Sequence, residues 1–392
     1  MEGSRKERRF WPVALAVVVA VVCALLAVFL VLNRERAAAQ GRAVVVLISV
    51  LEAPVATPVV EAATGEPRVE ETRIAGNPTS VFVPAGEGPY PAVVFANGTI
   101  PEGREFEGVR DLAGGFARAG YLVAVPDLPG LMTDTITPNT VSETVDVVQE
   151  VSERPEVWGG RVGLVGVSTG ATLALLAAED PAVAARVSAV AGVAPYTDIR
   201  TVLSIATTAH YEKNGETVPY RAEPFLSYVV ARSLISALPP GEDRETLLAE
   251  MDAVRRYGPD PLGPLRGRPT GDLGPEARRV VALLANTDPA RSGALYQDLP
   301  PATRAEMDAL SPVAGAEKLE APVELITGPR DKYFPPSESY RLRRVAPDRR
   351  VTVTGVLDHS EIRVSLRTLP DLLELNGFAL RSLRALDPEP VR

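Results

Sequence analysis

Apolar and polar positions fall into three regimes along the chain. Residues 11–32 run without a charge, behind Arg5, Lys6, Arg8 and Arg9 and ahead of Arg34 and Arg36. A helix of roughly 20 apolar residues crosses a bilayer core, so residues 1–33 read as a basic cytoplasmic tip and a transmembrane helix. The basic cluster before the span places the rest of the chain outside the cytoplasm, as a single-pass protein of the cell membrane. A secretory signal cleaved near Ala37-Ala38-Ala39 is the alternative. A second apolar run, 43–51, is too short to span and rich in Val and Ile, which suits a strand or membrane-proximal packing. Residues 54–67 turn to Pro, Thr, Ala and Glu, and 34–68 reads as a linker.

From residue 69 the pattern changes to short Val-rich runs alternating with helical spacings, the signature of a mostly parallel sheet with helices on both faces. Strands are expected at 79–84 (TSVFVP), 92–96 (AVVFA), 121–125 (YLVAV), 161–165, 187–193, 323–327 (VELIT) and 351–356 (VTVTGV). Helices are expected at 109–119, after Asn139 with Val141, Val145, Val148 and Val151 on one face, from Ser168 to Pro181, and at 362–375. Between 199 and 310 Pro- and Gly-broken helical pieces replace the alternation, without strong strands. This block reads as an insertion that divides the core into 69–198 and 311–392.

Composition narrows the chemistry. The 392 residues are 46% hydrophobic with net charge −9, and beyond the N-terminus no basic run offers phosphates a surface, which excludes nucleic acid as a partner. Cys23 is the one cysteine, so neither an internal disulfide nor a cysteine-based zinc site is available. With His210 and His359 the only histidines, a histidine-rich metal centre is also excluded.

What remains is nucleophilic chemistry. Gly166-Val167-Ser168-Thr169-Gly170 is a G-x-S-x-G turn at a strand-to-helix junction, where glycines let the backbone bend sharply and expose the hydroxyl. A serine hydroxyl needs a base, and the base needs an orienting group. His359 lies just after the last expected strand and is the candidate base; His210, inside the insertion, reads as an ordinary residue of that block. Asp331, after the strand at 323–327, is the favoured acid, because a carboxylate there can fix the imidazole tautomer. Asp198, after the strand at 187–193, and Asp358, adjoining His359, are its rivals.

The order Ser168, Asp331, His359, each after a strand of a βα alternation, resembles the α/β-hydrolase superfamily over roughly 69–375. The stretch from Ser311-Pro312-Val313 to Gly328 is similar to the approach to the acid-bearing strand in its esterase- and peptidase-like members, and the insertion sits where that family carries a cap or lid. The resemblance implies an oxyanion hole from the N–H groups of Thr99 and Thr169, with Asn97-Gly98 where many members have His-Gly. It further implies a serine hydrolase acting on a small-molecule ester or acyl substrate, with no metal or organic cofactor. Peptidase, amidase or acyltransferase chemistry from the same triad, and a non-catalytic binding protein on the same scaffold, are the alternatives.

Overall fold

The computed structural model describes residues 34–51, 57–346, 349–362 and 370–387. The apolar run at 11–32, read as a transmembrane helix, lies outside the described residues. Among those described, no helix is long and apolar enough to cross a membrane.

The core is an eight-stranded sheet. Its strands are β1 (Arg68–Ile74), β2 (Asn77–Val83), β3 (Tyr90–Ala96), β4 (Leu122–Pro126), β5 (Val157–Val167), β6 (Val187–Val193), β9 (Val323–Thr327) and β10 (Arg350–Val353), in the spatial order β1-β2-β4-β3-β5-β6-β9-β10. The β1–β2 and β2–β4 pairs are antiparallel and all others parallel. Side chains of successive strand residues serve opposite faces. Val81, Val94, Leu122 and Leu164 enter one apolar cluster, whereas Phe82, Val93, Val123 and Val165 enter the other. Burial on both faces explains the continuous Val-rich runs. The edge strand β1 (RVEETRI) is polar and largely exposed, so it carries no such signal, and its charges discourage edge-to-edge pairing.

Helices cover both faces. On the first lie α4 (Pro138–Ser152), α5 (Thr169–Glu179) and α12 (Ser337–Val345); on the second lie α1 (Arg34–Leu51), α3 (Glu107–Arg118) and α13 (Asp371–Leu386). A short helix, α2 (Thr57–Thr64), follows α1. Every residue of α5 is buried, which its Ala- and Leu-rich sequence permits because it is apolar all round. Residues 199–310 hold α6 (Ile199–Thr208), a hairpin of β7 (His210–Lys213) and β8 (Glu216–Pro219), and then α7 (Phe225–Ser236), α8 (Glu242–Asp252), α9 (Pro275–Leu284), α10 (Pro289–Gln297) and α11 (Pro301–Asp308). This block packs its apolar side chains into the first cluster.

Several expectations need correction. The run at 43–51 is not a strand but the second half of α1, and 34–68 holds two helices rather than a linker alone. Ala39, Ala43 and Val46 recur at helical spacing and are buried, so packing overrides the strand preference of Val and Ile. Polar contacts fix α1 further. Arg42 pairs with Asp387 at 2.6 Å, and Gln40 donates to Asn376 of α13 at 2.9 Å. The insertion contains a hairpin where no strong strands were expected. Of the helix expected at 362–375, residues 363–369 lie outside the described residues, and α13 covers the part from Asp371 onward. Residues Glu361–Ile362 form β12, which pairs with β11 (Leu357–Asp358).

Candidate active site

Ser168 occupies the turn between β5 and α5. Its backbone sits at φ 57°, ψ −126°, a region sparsely used by side-chain-bearing residues and worth about 1–3 kcal/mol of strain. The surroundings hold it there. The Ser168 N–H donates to the Val193 carbonyl at 2.8 Å, and its carbonyl accepts from Ala171 N–H at 3.0 Å. Gly170 is required by close approach: a Cβ there would lie 2.1 Å from the carbonyl oxygens of both Ala96 and Asn97. That contact draws the end of β3 and the loop Asn97-Gly98-Thr99 up against the turn, leaving Ser168 half-buried at a cavity wall.

The other two members of the expected triad come from loops at the same end of the sheet. Asp331 follows β9. Its Oδ1 accepts the backbone N–H groups of Tyr333 (2.8 Å) and Phe334 (2.9 Å), which lock the carboxylate in place. His359 and Ser360 form the two-residue turn of the β11–β12 hairpin, where a positive φ is demanded; His359 adopts φ 59°. The hairpin meets the acid loop at Gly328, where a Cβ would fall 2.3 Å from the Leu357 carbonyl. As a result His359 Nδ1 lies 2.9 Å from both Asp331 carboxylate oxygens, with both residues buried. The Tyr333 and Phe334 rings flank the imidazole, with centroids at 4.6 and 5.8 Å. The remaining nitrogen, Nε2, is free to serve as the base.

The rivals for the acid lie elsewhere. Asp198 caps α6 by accepting from Arg200 N–H and pairs with Arg341 of α12. Asp358 sits in β11 opposite Glu361. His210 is held within the insertion, its Nδ1 2.7 Å from the Thr208 carbonyl. Thr99 and Thr169, expected as oxyanion donors, are brought together, their hydroxyls 3.2 Å apart at the cavity wall. The buried side-chain Nδ2 of Asn97 has no hydrogen-bond partner among the described residues.

The cavity has a volume of about 450 Å³ and is shared by Ser168, His359, Thr99 and Thr169. Its walls include residues that the motifs did not point to: Phe225, Leu226 and Val229 of α7, and Val50 of α1. Tyr220, just after β8, donates its hydroxyl to the Asp331 carbonyl, and Glu223 N–H donates to the Lys332 carbonyl at 2.8 Å, so the insertion is tied to the acid loop. Burial, then the nearby Asp331, raises the Tyr220 phenol above its ordinary range, keeping it a donor. Tyr333-Phe334 directly follow Asp331 and could have been noticed from that position; Val50 and Tyr220 reach the site from distant segments and left no local signal. Among the described residues, no group of three or more His, Cys, Asp or Glu side chains is placed to hold a metal ion.

Strand order, the turn at Ser168 and the placement of Asp331 and His359 after β9 and β10 decide the architecture. It is the α/β-hydrolase fold. A family model of the X-Pro dipeptidyl-peptidase (S15 family) matches residues 78–217, about a third of the 392 residues. The match takes in Asn97 to Thr99 and Ser168 and stops before Asp331 and His359. Among solved structures, the chain is similar to DcsB in complex with its substrate analogue, at 18% identity and TM-score 0.46, over 81% of this chain and 99% of that one. An esterase of Pyrococcus furiosus is similar at 14% identity and TM-score 0.44, over 82% and 93% of the two chains. A puromycin-hydrolyzing peptidase of Mycobacterium tuberculosis is similar at 17% and 0.44, over 83% of this chain and 40% of that one. No curated protein matches the chain.

Proposed function

We propose that this chain is a membrane-tethered serine hydrolase that cleaves a carboxylic ester through Ser168, His359 and Asp331. The observation that carries the reading is the buried Asp331–His359 pair, whose imidazole lines the same cavity as a strained, half-buried Ser168. In the proposed cycle His359 Nε2 takes the Ser168 proton as Oγ attacks the carbonyl carbon. The oxyanion that forms is met by the N–H groups of Thr169 and Thr99, each such donor contributing about 2.7–4 kcal/mol to the transition state. His359 then delivers the proton to the departing alcohol. Water, deprotonated by the same nitrogen, releases the acid and restores Ser168.

The tether rests on the uncharged run at 11–32 and the basic residues before it, which put the catalytic domain on the outer side of the cell membrane. Ala39, Ala43 and Val46 of α1 are buried only a few residues beyond the run at 11–32, so the domain would sit close to the bilayer.

A second reading, cleavage of a peptide or amide bond, is favoured by the match of residues 78–217 to the X-Pro dipeptidyl-peptidase (S15 family). The two bond types separate in one assay. The full-length chain is offered p-nitrophenyl esters and p-nitroanilides of the same acyl or aminoacyl groups. The ester reading predicts kcat/KM at least about a hundredfold higher on the esters after correction for their uncatalysed hydrolysis. Equal or higher corrected turnover of the anilides would replace it with the amide reading, and transfer to an added alcohol in preference to water would make the protein an acyltransferase.

A further inference from the structure

The cavity at Ser168 straddles the two apolar clusters of the molecule, and its two sides differ. Toward the insertion, Leu226, Val229 and Phe334 belong to the cluster on the first face of the sheet. The same three residues, with Thr169, also line a small recess of about 30 Å³, closed off by Tyr196, Met307 and Leu310. Space of that size takes little more than a methyl group or a water molecule. That recess is small, and on the same side this limb of the main cavity also carries Phe225 and Tyr257, the latter 68% exposed.

The other limb runs along the second face. It is walled by Phe106, Val109 and Leu112 at and beyond the start of α3, by Ile362 of the base hairpin, and by Val50 of α1. It reaches the surface at Phe106, a residue 43% exposed. Val50 is held in place rather than carried on a loose end. Helix α1 lies so close to α3 that a Cβ on Gly115 would sit 2.8 Å from the Ser49 Cβ, and Ala43 and Val46 one and two turns earlier are buried. Charge points the same way. Among the described wall residues other than His359, the one cation is Lys332, which is already paired with Glu361 at 2.5 Å, and the remaining charge is the carboxylate of Asp111. Among these described residues an anionic group on a substrate would meet no uncommitted cation to offset its lost hydration.

We propose that α1, which precedes the hydrolase core, is part of the substrate site: Val50 and Leu112 wall one of two apolar limbs meeting at Ser168. The substrate is accordingly an uncharged ester or amide with apolar groups on both sides of the scissile carbonyl, one lying along α1 and the other under α7. The proposal rests on the serine-hydrolase reading above. It adds a specificity-determining role for a helix outside the family's usual catalytic core.

The test uses the full-length chain and two substrate series, linear acyl esters of p-nitrophenol and acetate esters of linear alcohols. Wild type is compared with Val50→Trp and Val50→Ala, and fluorophosphonate labelling is recorded for each. Filling the limb with Trp should shorten the preferred chain in one series by about two carbons, with about a tenfold loss of kcat/KM on the longest members, while short members and labelling are retained. Removing the wall with Ala should flatten the preference in that same series, and it decides the matter alone if the Trp variant does not fold. Unchanged chain-length profiles in both series, with labelling intact, would overturn the proposal. Ester turnover that survives Ser168→Ala would instead overturn the serine-hydrolase reading, and the two failures are therefore distinguishable.

Discussion

Replacing Asp331 with Asn should disable the base without disturbing the fold, and the geometry says how. In the native site Oδ1 accepts from Tyr333 N–H and Phe334 N–H at 2.8 and 2.9 Å. An asparagine must keep its carbonyl oxygen on those two donors, because turning its NH2 toward them would bury them unpartnered at about 1–3 kcal/mol each. The NH2 group then occupies the place of Oδ2, 2.9 Å from His359 Nδ1. Two donors cannot face each other, so the imidazole keeps a bare Nδ1 and carries its proton on Nε2, where the base needs a lone pair. The same change in a well-studied triad lowers kcat by about 10⁴, or about 5.5 kcal/mol of barrier. Because the tautomer governs proton transfer rather than binding, kcat should fall by about that factor while KM stays within a few-fold. Continuous p-nitrophenyl butyrate hydrolysis near pH 7.5, with a thermal melt recorded on the same sample, provides the measurement. A kcat within tenfold of wild type, or an equal loss in a folded Asp198→Asn control, would refute the assignment of Asp331 as the orienting acid.

Two further perturbations probe the scaffold. Gly170→Ala inserts a Cβ 2.1 Å from two carbonyl oxygens at the nucleophile turn, and should lower stability by about 3 kcal/mol or more in denaturant melts; a loss below about 1 kcal/mol would show that β3 and α5 can separate freely. Glu179 at the end of α5 is pushed up to about 8, first by burial, against the opposing pull of Lys318, with Glu317 adding to the rise. A carboxyl whose folded value is raised stabilises fully below its unfolded value and loses that contribution as pH climbs through the folded one. Wild-type melting temperature should therefore decline between about pH 5 and pH 8, and Glu179→Gln should flatten the decline. An unchanged pH slope in that variant would assign the dependence to other groups.

Much of this architecture is legible in the sequence because the sheet is buried on both faces. AVVFA, YLVAV and VELIT each coincide with an observed strand to within two residues, since a run of Val and Ile has few alternatives when both sides must be covered. The exceptions are informative. Strand β1 is polar and hides at the edge. Helix α1 is written in Val and Ile, whose local preference is for strand, and only its contacts with α3 and α13 make it helical. The base hairpin depends on a two-residue turn with a non-glycine at positive φ, which composition does not announce.

At the site the division is similar. Ser168 is visible from its glycines, His359 from the scarcity of histidine, and Asp331 from its place at a strand end. Tyr220, which reaches Asp331 across 111 residues of sequence, and Val50, which arrives from a segment read as strand or linker, depend on tertiary packing that no local pattern encodes.

The most direct test of the central claim is the covalent one. The full-length chain is treated with an alkyl fluorophosphonate, digested, and the modified peptide identified by mass spectrometry, with Ser168→Ala in parallel. One phosphonyl group per chain, carried on Ser168 and absent from the variant together with all but about a millionth of the ester turnover, is the predicted result. Equal labelling or ester turnover in Ser168→Ala would contradict the account.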